Sequence, residues 1–485
     1  MKYKAIIGLE IHCEITETNT KVFSGAKNSY ENKANINVSA VDMAFPGVLP
    51  VLNKEAVKKA LLASLMFNCK QPEYMYFERK NYYYPDLPKG YQITQDTKPA
   101  PVGVEGYVDY ECNGVTKRAK INNIHLEEDT ASLEHFENYS LIDYNRAGVG
   151  LLELVTYSCF HDADEVVSFL ETIKSMYQYA GISECDNKKG HIRCDVNISI
   201  MDSCLDEEKP ENWGTKVEIK NVNSFSTVRD VINYEIKRQT ELKENGTYES
   251  MEQQTRRWSE EEGKTVYMRS KIDSIDYKYF IEPNIPKYKI DKELIEEIKQ
   301  LIPEFANKRK VRYINSFGIS EKDANVLVKD KNISDYFEEC VSLGANPKDA
   351  SNYIVTRLMG YLNKENKNIN EIFMKPNMLS VICKFVSEGK ISSQQAKEVF
   401  TICLEEEKTP EIIIKEKGFE QVSDETEIIS LVNKILDENI NAVEDFRNGK
   451  TNILGFLVGQ VLKQSGGKFN PGLTAKILNE EIRKR

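Results

Sequence analysis

The sequence predicts an α+β fold. A strand-rich N-terminal domain, with a mixed or antiparallel sheet flanked by helices, precedes an all-helical domain and a small helical tail domain. Three observations predict it. Up to about residue 290, short alternating apolar–polar runs are separated by a few amphipathic helices. From about residue 292 helical periods dominate, and near residue 405 the texture changes again, to short helices. At 485 residues the chain has room for about three domains.

Composition narrows the class. An apolar fraction of 40% is enough for real cores. No run reaches the roughly 18 apolar residues of a membrane span. The start, Met1-Lys-Tyr-Lys-Ala-Ile-Ile, enters a strand without a signal-peptide pattern, so a soluble cytoplasmic protein is expected. The ten cysteines are scattered with no Cys-x-x-Cys pair, which argues against a disulfide framework or a zinc knuckle. A net charge of −11 argues against a whole-surface nucleic-acid footprint but leaves room for a local basic patch. All five histidines precede residue 192, so any histidine chemistry belongs to the N-terminal part.

In chain order, Ala5–Glu14 alternates as a strand. Leu9 and Ile11 point one way; Gly8, Glu10, His12 and Glu14 point the other. Glu10 and His12 then stand about 7 Å apart on one face. Taken alone, that face reads as a solvated strand edge. Asn53 reads as the N-cap of a helix over Lys54–Phe67. The segment Phe77–Gln92 packs Arg79, Lys80, Lys89, Tyr82, Tyr83, Tyr84 and two prolines together, which suits a ligand-facing loop and a rigid structural loop about equally. Gly106–Asn122 reads as a hairpin turning at Asn113-Gly114. It leads to His125-Leu-Glu-Glu-Asp129, three acids that matter mainly in combination with other sites. Glu153 interrupts the apolar run Leu151–Val155 and needs a partner or a metal, because burying a lone carboxylate costs several kcal/mol.

A helix over Asp162–Ala180 serves as sheet cover. His191–Ile200 and Thr215–Val222 alternate cleanly and place Arg193, Asp195 and Asn197, then Lys216, Glu218 and Lys220, on polar faces. A helix over Ser224–Asn245 follows. Arg256, Arg257, Arg269 and Lys271 supply cations near Trp258, suited either to an anionic ligand or to surface pairing with Glu260–Glu262. The helical part reads as Asp291–Leu301, Pro303–Phe317, Glu321–Lys329, Ile333–Ser342 and Lys348–Asn363. Residues 451–485 carry six basic residues, Lys463, Lys468 and Lys476 among them, against two acids. This local charge of +4 suits a nucleic-acid backbone, although charged last helices are also common.

If the polar faces converge, the chain holds several carboxylates, one imidazole and flanking cations. That donor set suits one or two hard cations, magnesium above all, and magnesium beside lysine and arginine suits phosphoryl transfer. No Gly-x-x-x-x-Gly-Lys-[Ser/Thr] loop is present, so any nucleotide is held without a P-loop. The residues alone reach a metal-dependent phosphoryl-transfer enzyme or a nucleic-acid-binding protein.

The motifs GLEIH, RKNYYYPDLPKGYQ, IHLEED, DYNRAGVGLLELV, RCDVNIS, EIKNVNSF, YEIKRQ, MRSK and GFLVGQVLK occur in this order. Over essentially the whole chain it resembles the GatB family, the B subunits of the aspartyl/glutamyl-tRNA amidotransferases. The resemblance implies a cradle domain over residues 1–291, a helical domain over 292–405 and a tRNA-binding tail over 406–485. It implies a ligase that uses ATP and magnesium to phosphorylate the side-chain carboxylate of Glu on tRNA(Gln) or Asp on tRNA(Asn). The product is then amidated with ammonia that an amidase subunit releases from glutamine, and a small third subunit holds the heterotrimer together. It carries metal-site roles onto Glu10, His12, Glu128, Glu153, Asp195 and Glu218, with His12, Glu128 and Glu153 around the magnesium. It carries nucleotide contacts onto Lys80, Tyr83, Tyr84, Arg193 and Lys220, and tRNA contacts onto Lys463, Lys468 and Lys476. A non-catalytic tRNA-binding scaffold is the alternative.

This chain departs from the family pattern in places. Ser24, Ala26, Ser39 and Asp42 stand where many relatives carry zinc-binding cysteines, so no structural zinc is expected. Asn122-Asn123 replaces a usual Thr-Arg, Gly150 a usual Pro, and Ile281-Glu-Pro-Asn284 a usual Pro-Glu-Pro-Asp.

Overall fold

The computed structural model describes residues 2–31, 33–95, 101–222, 224–270, 276–419, 425–447, 453–465, 469 and 471–484. The chain divides into two compact units, one through Phe305 and one from Ala306 onwards.

The first unit is built on an eight-stranded mixed sheet. Its strands are β1 (Tyr3–Glu14), β2 (Gly103–Cys112), β3 (Val115–Glu128), β4 (Gly150–Thr156), β5 (Ile192–Asp202), β6 (Val217–Val222), β7 (Gln254–Ser259) and β8 (Lys264–Ser270), in the spatial order β8-β7-β6-β5-β1-β4-β3-β2. Every neighbouring pair is antiparallel except β6 and β7. The hairpin β2–β3 turns at Asn113-Gly114, with φ of 52° and 77°, the left-handed pair that a type I′ turn requires.

Alternation gives the sheet two unlike faces. Ile7, Leu9, Ile11 and Cys13 of β1, Leu152 and Leu154 of β4, and Cys194, Val196 and Ile198 of β5 enter one buried cluster. Three helices cover that face: α1 (Lys54–Met66), α2 (Ala163–Tyr179) and α3 (Phe225–Glu244). Leu61, Phe169, Ile173, Val228 and Val231 from these helices join the same cluster. Each helix starts on a side-chain cap, Asn53, Asp162 or Ser224, which satisfies backbone N–H groups that have no intrahelical partner. The loop before α1 is pinned by Lys21, fully buried, whose Nζ lies 3.3 Å from Asp42 Oδ2 and donates to Tyr144 O. Beside the main sheet, Phe280–Ile281, Glu78–Asn81 and Tyr91–Thr94 form a small sheet, in which buried Glu282 pairs with Arg79.

The second unit is helical with two cores. Tyr313, Phe337, Leu358, Leu379 and Phe400 centre the larger one; Val432, Leu436, Leu457, Val461 and Leu478 centre the smaller. The helical segment expected over 348–363 runs as Pro347–Tyr353 and Met359–Glu365 joined by a π-turn at Ile354–Leu358. No described helix is long and apolar enough to cross a membrane.

Asn53 carries a double load. Its Oδ1 accepts from Glu55 N and Ala56 N at 2.8 and 3.3 Å, while its Nδ2 donates to Thr20 O and Thr20 Oγ1. Asn53→Ala should therefore cost about 1–2 kcal/mol. Urea unfolding followed by tryptophan fluorescence checks this, since both tryptophans, Trp213 and Trp258, lie in the first unit.

Candidate functional site

Residues paired directly across antiparallel strands show their side chains on the same face. His12 faces Glu153 on β4 and Arg193 on β5; Glu10 faces Asp195; His125 faces Glu153; Asn197 faces Glu218. The face turned away from the three helices therefore collects these groups in adjoining rows. They form two clusters, His12–Glu127–Glu153 and Glu10–Asp195–Glu218, in each of which one ligand atom per residue lies within 4.8 Å of the others. The first opens into a cavity of about 200 Å³ that is also lined by Lys80, Tyr82, Arg193 and Lys220.

The two clusters differ electrostatically. In the first, Glu153 Oε2 lies 3.4 Å from His12 Nε2 and 3.2 Å from His125 Nε2. Burial pushes the Glu153 carboxyl up, but the two imidazoles outweigh it and hold the group well below the carboxylate range. Burial pushes His12 down; Glu153 and Glu127 outweigh it and raise the imidazole to about 9. Glu127, fully enclosed, is pushed up by burial and by Glu153. In the second cluster, Lys220 Nζ donates to Asp195 Oδ2 at 2.9 Å and lies 2.8 Å from Glu218 Oε1. Thr255 Oγ1 donates to Glu218 and Asn197 Nδ2 to Glu10. Arg193 forks onto both oxygens of Asp129 at 2.7 Å. Burial raises the Asp129 carboxyl, but Arg193 and Arg146 hold it at about 2.

The residues fit a hard divalent cation. The donor set is oxygen-rich with one imidazole, and Glu127 and Glu10 carry charge that burial disfavours. His12 Nδ1 and Asn197 Oδ1 are buried atoms with no hydrogen-bond partner.

The expected residues distribute unevenly. Glu10, His12, Glu153, Asp195 and Glu218 enter the clusters, and Lys80, Arg193 and Lys220 line the cavity. Glu128 does not join His12 and Glu153; its neighbour Glu127 does. Glu128 ends β3 with its side chain on the other side, where it is paired with Lys89 and accepts from Ile93 N at 2.9 Å. The signal was available: Glu127 is two residues from His125 and so shares its face, whereas Glu128 does not. Among the tyrosines, Tyr82 lines the cavity, while Tyr83 is 94% exposed and Tyr84 54%. Lys463 and Lys476 are exposed on the last two helices of the second unit; Lys468, Lys271 and Arg485 lie outside the described residues.

Clustered acids and an imidazole on one sheet face, edged by lysine and arginine, are a donor set that suits a divalent cation beside an anionic group. Residues 5–296 match the family described as "GatB/GatE catalytic domain", and residues 335–482 match one described as "GatB domain". The chain is 43% identical to the B subunit of the aspartyl/glutamyl-tRNA(Asn/Gln) amidotransferase of Halalkalibacterium halodurans and to that of Geobacillus thermodenitrificans, over the full length of each. It is 41% identical to that of Carboxydothermus hydrogenoformans, over all of this chain and 99% of the relative. The chain belongs to the GatB family, the B subunits of the aspartyl/glutamyl-tRNA(Asn/Gln) amidotransferases.

The His12 shift has a pH consequence. Its folded pKa lies above the unfolded value of 6.5, so its pairing stabilises fully below pH 6.5 and is lost as pH rises through about 9. The loss is at most about 3–4 kcal/mol, at about 1.4 kcal/mol per pH unit. Cation-free chain should lose stability to urea between pH 6.5 and 9, and His12→Gln should flatten that slope; parallel curves would remove His12 as the cause.

Proposed function

We propose that this chain is the carboxylate-activating subunit of a glutamine-dependent tRNA amidotransferase, acting on Glu-tRNA(Gln), Asp-tRNA(Asn) or both. The observation that carries the reading is the His12–Glu127–Glu153 cluster opening into a cavity beside Lys80, Arg193 and Lys220, in a chain that matches the family over its full length. A side-chain carboxylate oxygen of the misacylated amino acid attacks the γ-phosphorus of ATP, the bond to the β-phosphate oxygen breaks, and ADP leaves. Ammonia then attacks the acyl carbon, phosphate departs, and the amide is left on the tRNA after loss of a proton.

Both partners in the first step are anionic, so the residues must lower repulsion and fix geometry. Lys80, Arg193 and Lys220 line the cavity and would neutralise the phosphates. Arg193 is held in place by its fork onto Asp129. His12, Glu127 and Glu153 would hold magnesium, which supplies charge neutralisation on phosphate oxygens. Glu10, Asp195 and Glu218 offer a second cation position, to which the Lys220 ammonium is hydrogen-bonded. The exposed lysines Lys463 and Lys476, with Lys468, would contact the tRNA backbone. An amidase and a small third subunit make up the rest of the assembly, which would work in the cytoplasm without a zinc site.

Reconstitution with the amidase and the small third subunit tests this. ATP- and glutamine-dependent conversion of at least one of the two misacylated tRNAs is expected. Glu127→Gln should reduce it on the order of 100-fold or more, as loss of a cation ligand does. Glu128→Gln should leave divalent-cation binding unchanged. Normal tRNA binding with no ATP-dependent conversion by the unmutated chain would favour a scaffold instead.

A further inference from the structure

The polar face carries a run of side-chain hydrogen bonds that the reaction above does not use. Asn123 Nδ2 donates to Asn122 Oδ1 at 2.9 Å, Asn123 Oδ1 faces His125 Nδ1 at 3.0 Å, and His125 Nε2 stands 3.2 Å from Glu153 Oε2. The backbone dictates this arrangement. His125 lies opposite Glu153 and Asn123 opposite Val155, but the pairing of β3 with β4 slips between Ile121 and Asn123. At such a bulge two residues oppose one, so neighbours that would point to opposite faces can bring their side chains together. That is how Asn122 and Asn123, adjacent in sequence, come to share a hydrogen bond.

We infer that Asn122, Asn123 and His125 form a relay that fixes the Glu153 carboxylate for a divalent cation, with Asn123 as the positioning residue at its centre. The inference rests on the cation reading of the His12–Glu127–Glu153 cluster. A glutamate carboxylate rotates freely unless an outer hydrogen bond holds it, and loss of such partners commonly weakens metal binding about 10–100-fold. His125 is 3% exposed and is turned onto Glu153 by its contact with Asn123. The Glu153 carboxylate only accepts, so Nε2 must carry a hydrogen; an amide can present either oxygen or nitrogen to Nδ1, so half-turns of Asn122 and Asn123 keep the outer contact whether or not Nδ1 is also protonated.

Manganese binding to the full-length chain, read from the electron spin resonance of the free ion without ATP or tRNA, tests the relay. Asn123→Ala should weaken binding about 10-fold with the thermal transition unmoved. His125→Gln, whose amide nitrogen reaches the position of Nε2, should retain affinity within about 3-fold; in that background Asn123→Ala should add no further loss. Unchanged affinity in Asn123→Ala, or an equal loss in both backgrounds, would overturn the relay. Manganese binding indifferent to Glu153→Gln would instead overturn the cation reading and the relay with it, so the two failures are told apart.

Discussion

Strand register on β1 is the constraint on which the site depends. His12 meets Glu153 on one side and Arg193 on the other because β1 pairs with both β4 and β5 at one fixed offset. A slip of one residue would turn Ile11 and Cys13 into the polar face and His12 into the core. What prevents it is the covered face, where Ile7, Leu9, Ile11 and Cys13 are almost wholly removed from water under three helices. Each such side chain stabilises the fold by about 1.5–3 kcal/mol when buried. The apolar half of every strand thus sets the geometry of the polar half.

Much of this was legible in the chain, and what was not has two causes. Alternation in β1, β5 and β6 was readable residue by residue, because each strand carries apolar markers on every second position. The same count, begun at His125, selects Glu127. The run Glu127-Glu-Asp129 obscures it, since three consecutive acids carry no mark of their own direction and the strand ends among them. Tyr82-Tyr-Tyr84 repeats the difficulty: three like residues just past a short strand give no period, and the chain turns the first inward and the second out. The bulge at Asn122 was unreadable for a different reason. It depends on pairing with β4, a contact between residues more than thirty positions apart. Helix starts were the clearest local signal, as the caps Asn53, Asp162 and Ser224 show, because a cap is a contact within three residues.

The loop between β1 and α1 is held by a buried ion pair. Asp42 faces the buried Lys21 ammonium, which also donates to Tyr144 O. Burial lowers the Lys21 pKa, and the neighbouring Asp42 opposes that shift without cancelling it. A buried pair of this kind adds little net stability, yet losing one partner is expensive because the other is left charged and dry. Its contribution is to fix where the loop runs. Gly148, at φ of 82°, brings backbone so close that a Cβ there would meet Asp42 Oδ1 at 2.8 Å.

The contrast between the two clusters argues for an order of occupation. Glu10, Asp195 and Glu218 have an internal cation: the Lys220 ammonium touches two of the three, and burial, which would lower its pKa, is outweighed by those acids. An entering ion must displace a lysine that is well held. The first cluster has no lysine within it and is balanced by His12, whose proton can leave to solvent, and by His125. Exchanging a proton for a doubly charged ion restores charge at His12–Glu127–Glu153 without moving the backbone or breaking a lysine–carboxylate pair. The face is thus graded, with one cluster balanced by titratable imidazoles and its neighbour by a lysine. Lys220 bridges them, bonded to Asp195 and Glu218 and lining the cavity into which His12, Glu127 and Glu153 open.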